Sequence, residues 1–563
     1  DQDIITRLRP IRSVDHQRPF LRWIRVESQA YAMADFSFSD DEELKRLNAQ
    51  VQENLEDFEP WDKLVRAAEA QEGGLHRNSS AGAIASTREV YDKFLARFPL
   101  FFGYWKKYAD LEFAIAGTEV AEMIYERGVA NIGNSVDLWA NYCSFKVETS
   151  HDPEVIRELF ERGAESVGLD FLAHPFWDRY IEYEERMEST ERVFGILSRI
   201  IHIPLHQYAR YFERYRTLAS SRPITDLAPA TIIAQFSQQT VAAGPKPEAE
   251  MRAKIDAYHT EIFSNTQSET TKRWTFESEI KRPYYHVTEL DEQQLSNWAH
   301  YLDWEEASGD YRRIRFLYER CLVTAANYEE FWLRYARWMQ GQGGDKEGET
   351  RTIYERASCT YISIAKPAVR IFWAQFEEAA GRLQVAQDIY EAILKKLPND
   401  VDTIKSVANF HRRQYGVEAA VNALQRYIDA ADTNDDTRGS LLFDQARMLD
   451  RAKGYRAART VLENGKERVQ GCRAFWESWL CWEMEMHGSV HGDVRSVWAD
   501  VQNRSHLSTL DNKALSNVYL RYLQEREDSK GAMKEYLDLD GAMNGPASIS
   551  KGARAEVVQM TDA

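Results

Sequence analysis

The sequence predicts an all-α protein, a helical-repeat solenoid in two arrays. Three observations carry this. Trp and Tyr recur three residues apart, which places both rings on one face of a helix. Each such segment is followed by a second that sets an aromatic beside a Glu-Arg pair, so one side can be buried while the charges stay wet. The tryptophans at 105, 139 and 177 are 34 and 38 residues apart, and those at 298, 332 and 373 are 34 and 41 apart. A drifting period of this size fits a helix-turn-helix repeat with variable loops and excludes a coiled-coil heptad. Neither helix buries its ridge alone, so each needs the next pair.

The pattern is clearest as Trp298/Tyr301, then Tyr318-Glu319-Arg320, then Trp332/Tyr335, then Tyr354-Glu355-Arg356. The first helix recurs at Trp105/Tyr108, Trp139/Tyr142, Trp177/Tyr180, Trp373/Phe376 and Trp476/Trp479/Trp482. The second recurs at Tyr125-Glu126-Arg127, Phe160-Glu161-Arg162 and Tyr390-Glu391. Any one of these aromatics is ordinary core; their regular return is the signal.

In chain order, residues 1–58 form an N-terminal extension. Its first 32 residues hold six arginines and no repeat signature, and are read as an extension without a role rather than an RNA-touching arm or a targeting segment. Met33 stands as a plausible natural start, and Ser39 to Glu42 begin a capping-box pattern ahead of a short acidic helix. Residues 59–215 are the N-terminal array, with pairs opened at Trp61, Trp105, Trp139 and Trp177; Pro204 breaks the helix between His202 and His206. Residues 216–275 lose the pattern. Pro223, Pro229, Pro245 and Pro247 make a long connection, with a short helix at 230–238 and another at 251–265, and the articulation between the arrays is expected here. Residues 276–527 are the C-terminal array, and residues 528–563 are a tail that frays around a final helix near 534–539.

Bulk properties narrow the partners. With 71 basic and 89 acidic residues the net charge is −18, so the chain does not coat nucleic acid by bulk attraction. Its five scattered cysteines contain no CxxC pair and argue for a reducing compartment without a zinc site. No apolar run reaches the ~18 residues that cross a membrane.

Candidate chemistry is sparse. His202 and His206 are four apart, but the intervening proline makes a structural turn the better reading than a metal site. The paired acids Glu184-Glu185, Glu305-Glu306 and Glu377-Glu378 end aromatic helices and are read as a solvated or salt-bridging face. There is no P-loop, GxGxxG, GxSxG or HExxH; the sequence predicts no enzyme and no cofactor. Lys106-Lys107, Lys281-Arg282, and Arg312-Arg313 with Arg315 are the basic clusters suited to RNA or an acidic partner, with solvated faces as the default. Tyr284 and Tyr285 beside Lys281 suit base stacking, although packing between the arrays is favoured.

The Trp-x-x-Tyr and Tyr-Glu-Arg segments resemble the half-a-TPR (HAT) repeat. Three stretches resemble the pre-mRNA-processing factor 39 family in particular: Phe98 to Glu112 (FPLFFGYWKKYADLE), Ile203 to Tyr208 (IPLHQY), and Lys281 to Asp291 (KRPYYHVTELD) leading into Trp298. The repeat itself does not demand the last two. The resemblance spans about residues 55–480 and implies a nuclear scaffold of the U1 small nuclear ribonucleoprotein. Such a scaffold touches other U1 proteins, the U1 C protein among them, and supports weak or alternative 5′ splice sites. It also implies a C-terminal array that dimerises, with a second copy or a related HAT protein, and only indirect association with U1 RNA and pre-mRNA. The alternatives are a HAT scaffold of another RNA-processing complex, in 3′-end cleavage or ribosomal RNA maturation, and a direct RNA-binding module.

Overall fold

The computed structural model describes residues 41–240, 247–486, 489–525 and 530–544, and among these every regular element is helical. The Arg-rich start, Met33 and Ser39 lie outside the described residues, as do 545–563. The chain divides into two compact units, one ending at Ile362 and one beginning at Ser363.

The first unit opens with α1 (Glu42–Glu53) and α2 (Phe58–Ala70), paired with α3 (Ala81–Arg97). Repeats follow as α4 (Phe102–Ile115) with α5 (Thr118–Asn131), α6 (Val136–Thr149) with α7 (Pro153–Val167), and α8 (His174–Arg186) with α9 (Thr190–Ile200). Then come α10 (Tyr208–Ala219), α11 (Ala230–Thr240) and α12 (Pro247–Glu277). The pairs α13 (Glu292–Ser308) with α14 (Tyr311–Thr324) and α15 (Glu329–Gln340) with α16 (Glu347–Arg356) complete it. The second unit holds α17 (Ala368–Ala379) with α18 (Leu383–Lys396), α19 (Val401–Tyr415) with α20 (Val417–Asp429), and α21 (Asp435–Lys453) with α22 (Tyr455–Gly465). It ends with α23 (Arg473–Glu485), α24 (His491–Arg504), α25 (Thr509–Glu525) and α26 (Ala532–Asn544).

Local chemistry sets the boundaries. Between α13 and α14 the turn is two residues long: Gly309 takes the left-handed conformation (φ 74°) that ends the first helix. Asp310 then caps the second, accepting from the amides of Arg312 and Arg313 at 3.0 and 3.3 Å. The first described helix is capped by Asp41, whose carboxylate accepts from the amides of Glu43 and Leu44.

One expectation changes. The connection at 216–275 is mostly helix: α12 runs 31 residues, beginning at Pro247 as a first-turn proline and meeting no further Gly or Pro before its end at Glu277. Its Asn, Thr and Ser content disguised it, yet hydroxyls such as that of Thr270 bond the carbonyl four residues back, at 2.7 Å to Thr266. The division between the two compact units lies after a single π turn (Ala357–Tyr361) that ends α16.

Candidate interaction surfaces

Successive repeats are joined by one recurring set of side chains. The aromatic of a second helix stacks on the Tyr of the next first helix: Tyr125 on Tyr142 at 5.0 Å, Phe160 on Tyr180 at 4.6 Å, Phe276 on Tyr301 at 4.8 Å, and Tyr318 on Tyr335 at 4.7 Å. These rings are parallel within 15° and offer ~0.5–1.5 kcal/mol each beyond their burial. The acid that follows the aromatic then accepts twice from the next repeat. Glu126 takes the Tyr142 hydroxyl at 2.8 Å and Arg162 at 2.8 Å; Glu319 takes the Tyr335 hydroxyl at 3.1 Å and Arg356 at 2.8 Å. Asp92 and Glu161 repeat the arrangement with Arg127 and Arg199.

The arginine of each pair thus serves the interface before it, and the acid serves the interface after it. Each guanidinium also lies over the Trp of its own repeat: Arg127 over Trp105, Arg162 over Trp139, Arg320 over Trp298 and Arg356 over Trp332, at 5.3 to 5.8 Å. The Glu-Arg pair is therefore not simply a wet face. Its exposure falls from nearly half at Glu126 and Arg162 to a few per cent at Glu277 and Arg320.

Two further regularities escaped the sequence reading. The indole N–H of Trp61, Trp105, Trp139, Trp332 and Trp476 donates to the carbonyl six residues earlier, tying down the turn that enters the repeat. A small residue follows each Tyr/Phe-Glu-Arg, namely Gly128, Gly163, Cys321 and Ala357, and a Cβ on Gly163 would stand 2.5 Å from the Phe176 ring. The signal lay in four consecutive positions.

The anchors Trp105, Tyr108, Trp139, Tyr142, Trp177, Tyr180, Trp298, Tyr301, Trp332, Tyr335, Trp373 and Trp476 are all buried. The acids that end the first helices are sorted more sharply than expected. Glu184, Glu305 and Glu377 are shut from water and hold Arg157, Arg273 and Arg382, whereas Glu185, Glu306 and Glu378 take Arg214, Arg334 and Arg413 nearer the surface.

Electrostatics follow the pairing. The Arg162 guanidinium holds the Glu126 carboxyl below the usual carboxylate range. Burial pushes Glu319 up, but Arg356 and Tyr335 outweigh it and the carboxyl ends below its ordinary value. Asp170 differs: burial raises it despite Arg320 beside it.

The candidate basic residues meet different fates. Arg282 is spent inside its own loop, donating to the hydroxyl and carbonyl of Thr288 at 2.8 Å. Lys281 is exposed, 3.9 Å from Asp291. Arg312 and Arg315 are exposed, but Arg313 turns inward toward Asp310, and burial together with Arg273 lowers its pKa, so the three do not form one grip. Lys106 pairs with Asp110 and Lys107 with Glu69. His202 and His206 also part: the His206 amide donates to the Phe171 carbonyl at 2.9 Å and its ring stacks on Trp274, while His202 lines a separate cleft with Thr266 and Arg313. Among the described residues no group of three or more His, Cys, Asp or Glu is arranged to hold a metal, and no helix is long and apolar enough to cross a membrane.

Comparison with known proteins also gives two parts, but the second straddles the division at Ile362. A model of the PRP39 N-terminal HAT repeat matches residues 45–217, and one of the PRP39 C-terminal HAT repeat matches residues 271–413. Pre-mRNA-processing factor 39 of Schizosaccharomyces pombe is 44% identical over 92% of this chain and 88% of its own length. The chain belongs to the pre-mRNA-processing factor 39 family. A more distant relative, at 24% identity over 56% of this chain and 60% of its own, is the U1 small nuclear ribonucleoprotein component PRP42 of Saccharomyces cerevisiae. The crystal structure of CSTF-77 shares the fold, with a TM-score of 0.54 at 13% identity over 79% of this chain and 88% of that one.

The stretches that mark the factor 39 family are those that work between repeats of the first unit. Phe101, from the first stretch, meets buried Tyr285, from the third, edge-on at 5.0 Å. Leu205 is fully buried in the second stretch, next to a turn whose Ile201 carbonyl accepts the Thr266 hydroxyl at 2.7 Å. In the third, the Leu290 amide donates to Tyr328 at 2.7 Å and Asp291 caps α13 through the Gln294 amide at 2.8 Å. Nearby, the Asp170–Arg320–Glu277 triad closes the same region, with Arg320 2.9 Å from Asp170 and 2.5 Å from Glu277.

Proposed function

We propose that this protein is a non-catalytic scaffold of the U1 small nuclear ribonucleoprotein, acting in pre-mRNA splicing at 5′ splice-site recognition and supporting weak or alternative sites. The observation that carries the reading is the identity with factor 39 across nearly the whole chain, and the relationship to a U1 component in budding yeast directs it toward U1. The structure supports a scaffold in a physical sense. Its recurring charges are spent holding one repeat to the next, at the partly exposed Glu319–Arg356 pair and at the buried Arg320–Glu277 pair, so these ionisable groups serve rigidity rather than a reaction. Its partners are U1 proteins, the U1 C protein among them, and a second copy or related HAT protein held through the C-terminal array (residues 276–527). U1 RNA and pre-mRNA are reached indirectly, in the nucleus. Exposed Lys281, Arg312 and Arg315 are the remaining candidates from these basic clusters for an acidic partner.

The test is to purify the tagged protein from nuclear extract and quantify the small nuclear RNAs that accompany it. Enrichment of U1 RNA over the other spliceosomal RNAs is expected. U1 RNA at background, with other RNA-processing factors present, would overturn the splicing assignment and leave the fold untouched.

A further inference from the structure

In the second unit a cleft of about 300 Å³ opens between α19 and α21. Four cations line it: Lys405 and Arg412 from α19, seven residues apart and so on one face, and Arg447 and Arg451 from α21, one turn apart. The acid lining it is Asp444, which serves Lys405 at 2.8 Å and Arg447 at 3.7 Å. Arg412 reaches the Asn409 side-chain oxygen at 3.4 Å, and among the described residues Arg451 makes no ion pair. The neighbouring Glu418 is taken by Lys453 at 3.2 Å. One carboxylate against four cations runs counter both to a chain of net charge −18 and to the repeat ladder, where arginines are matched acid for acid. The rest of the lining is Asn409 and the apolar Val417, Met448 and Ala452.

We propose that this cleft is a docking site for an acidic peptide segment of a partner protein, with carboxylates on either side of one apolar side chain. Guanidinium forks bind carboxylates in pairs, which suits Arg412, Arg447 and Arg451 at the rim. The unbranched thioether of Met448 adapts to an inserted aliphatic side chain. A nucleic acid is the poorer fit, because no aromatic ring lines the cleft to stack a base and the apolar floor offers a phosphate nothing. The site stands independently of the splicing assignment.

The test is fluorescence anisotropy on the full chain with a short labelled peptide carrying single Leu residues between Asp and Glu, an amide version of it, and a single-stranded RNA oligonucleotide. The acidic peptide is expected to bind saturably and its amide version at least ~10-fold more weakly. Arg447→Glu with Arg451→Glu should weaken the acidic peptide by a similar factor with an unchanged melting temperature. Arg451→Gln, which removes no ion pair of the fold, should lower affinity alone. Equal binding by wild type and variants, no binding of the acidic peptide, or RNA bound more tightly than the peptide and lost in the same variants would each overturn the proposal.

Discussion

The Arg320 guanidinium sits 2.9 Å from the Asp170 carboxylate, with each side chain less than a tenth exposed, and its other edge holds Glu277 at 2.5 Å. Asp170 belongs to the loop after α7, Glu277 ends α12 and Arg320 lies on α14, so one side chain ties together three separate parts of the first unit. Removing it leaves two carboxylates buried without a counter-charge. Arg320→Met should cost ~3–5 kcal/mol, against less than ~1 kcal/mol for Arg162→Met at the half-exposed pair with Glu126. Urea unfolding of the two variants checks the ranking, and equal costs would contradict it.

Trp332 is fully buried, stacks on Tyr361 at 5.3 Å and donates its indole N–H to the Ala326 carbonyl at 2.8 Å. Trp332→Ala should destabilise its own repeat by ~3–5 kcal/mol. Because repeats touch mainly their neighbours, amide exchange should quicken across α14 to α16 and stay unchanged in α23 to α25. Uniform loss of protection would argue for one cooperative core.

Gly163 should resist substitution even though it lies inside a helix. Alanine is intrinsically better there by ~1 kcal/mol, but its Cβ would stand 2.5 Å from Phe176 and 3.2 Å from Trp139. Overpacking of this kind costs ~1–3 kcal/mol. Gly163→Ala is therefore expected to lower the melting temperature, whereas Gly103→Ala, with open space around its Cβ, should not.

Acid should loosen the ladder. Glu126 and Glu319 are held below their ordinary value of 4.5, Glu126 chiefly by Arg162, and Glu319 by Arg356 against the opposing effect of burial. A depressed folded-state pKa means the unfolded chain takes up the proton more readily, so this stabilisation is complete above about pH 4.5 and is lost as pH falls through the folded values. Stability measured from pH 6 downward should drop in this window, and Arg356→Met should flatten the drop. A pH dependence unchanged in that variant would contradict the pairing.

What the sequence made legible was the part of the fold that repeats. Trp105, Trp139, Trp298 and Trp332 advertised the packing because a large ring three residues from a Tyr has one plausible use in a helix of this length. The direction of the charges was not legible, since Glu319 and Arg320 are adjacent letters that act at opposite interfaces. Nor was the clamp: Asp170 is an ordinary loop acid until the chain brings Arg320 to it. The long helix α12 was hidden by polar, β-branched residues whose hydroxyls satisfy the backbone behind them. The cleft at Arg447 and Arg451 was missed because its four cations come from two helices that look unremarkable separately.

The central claim is that each repeat is coupled to the next through the acid of one and the arginine of the other. A double-mutant cycle on Glu319→Gln and Arg356→Met tests it most directly, with Glu126→Gln and Arg356→Met as the distant control. Coupling of about 0.5–3 kcal/mol in the first cycle and additivity within about 0.5 kcal/mol in the second are expected. Additivity in both would mean that the ladder is an ornament of surface charge and that aromatic packing alone holds the repeats together.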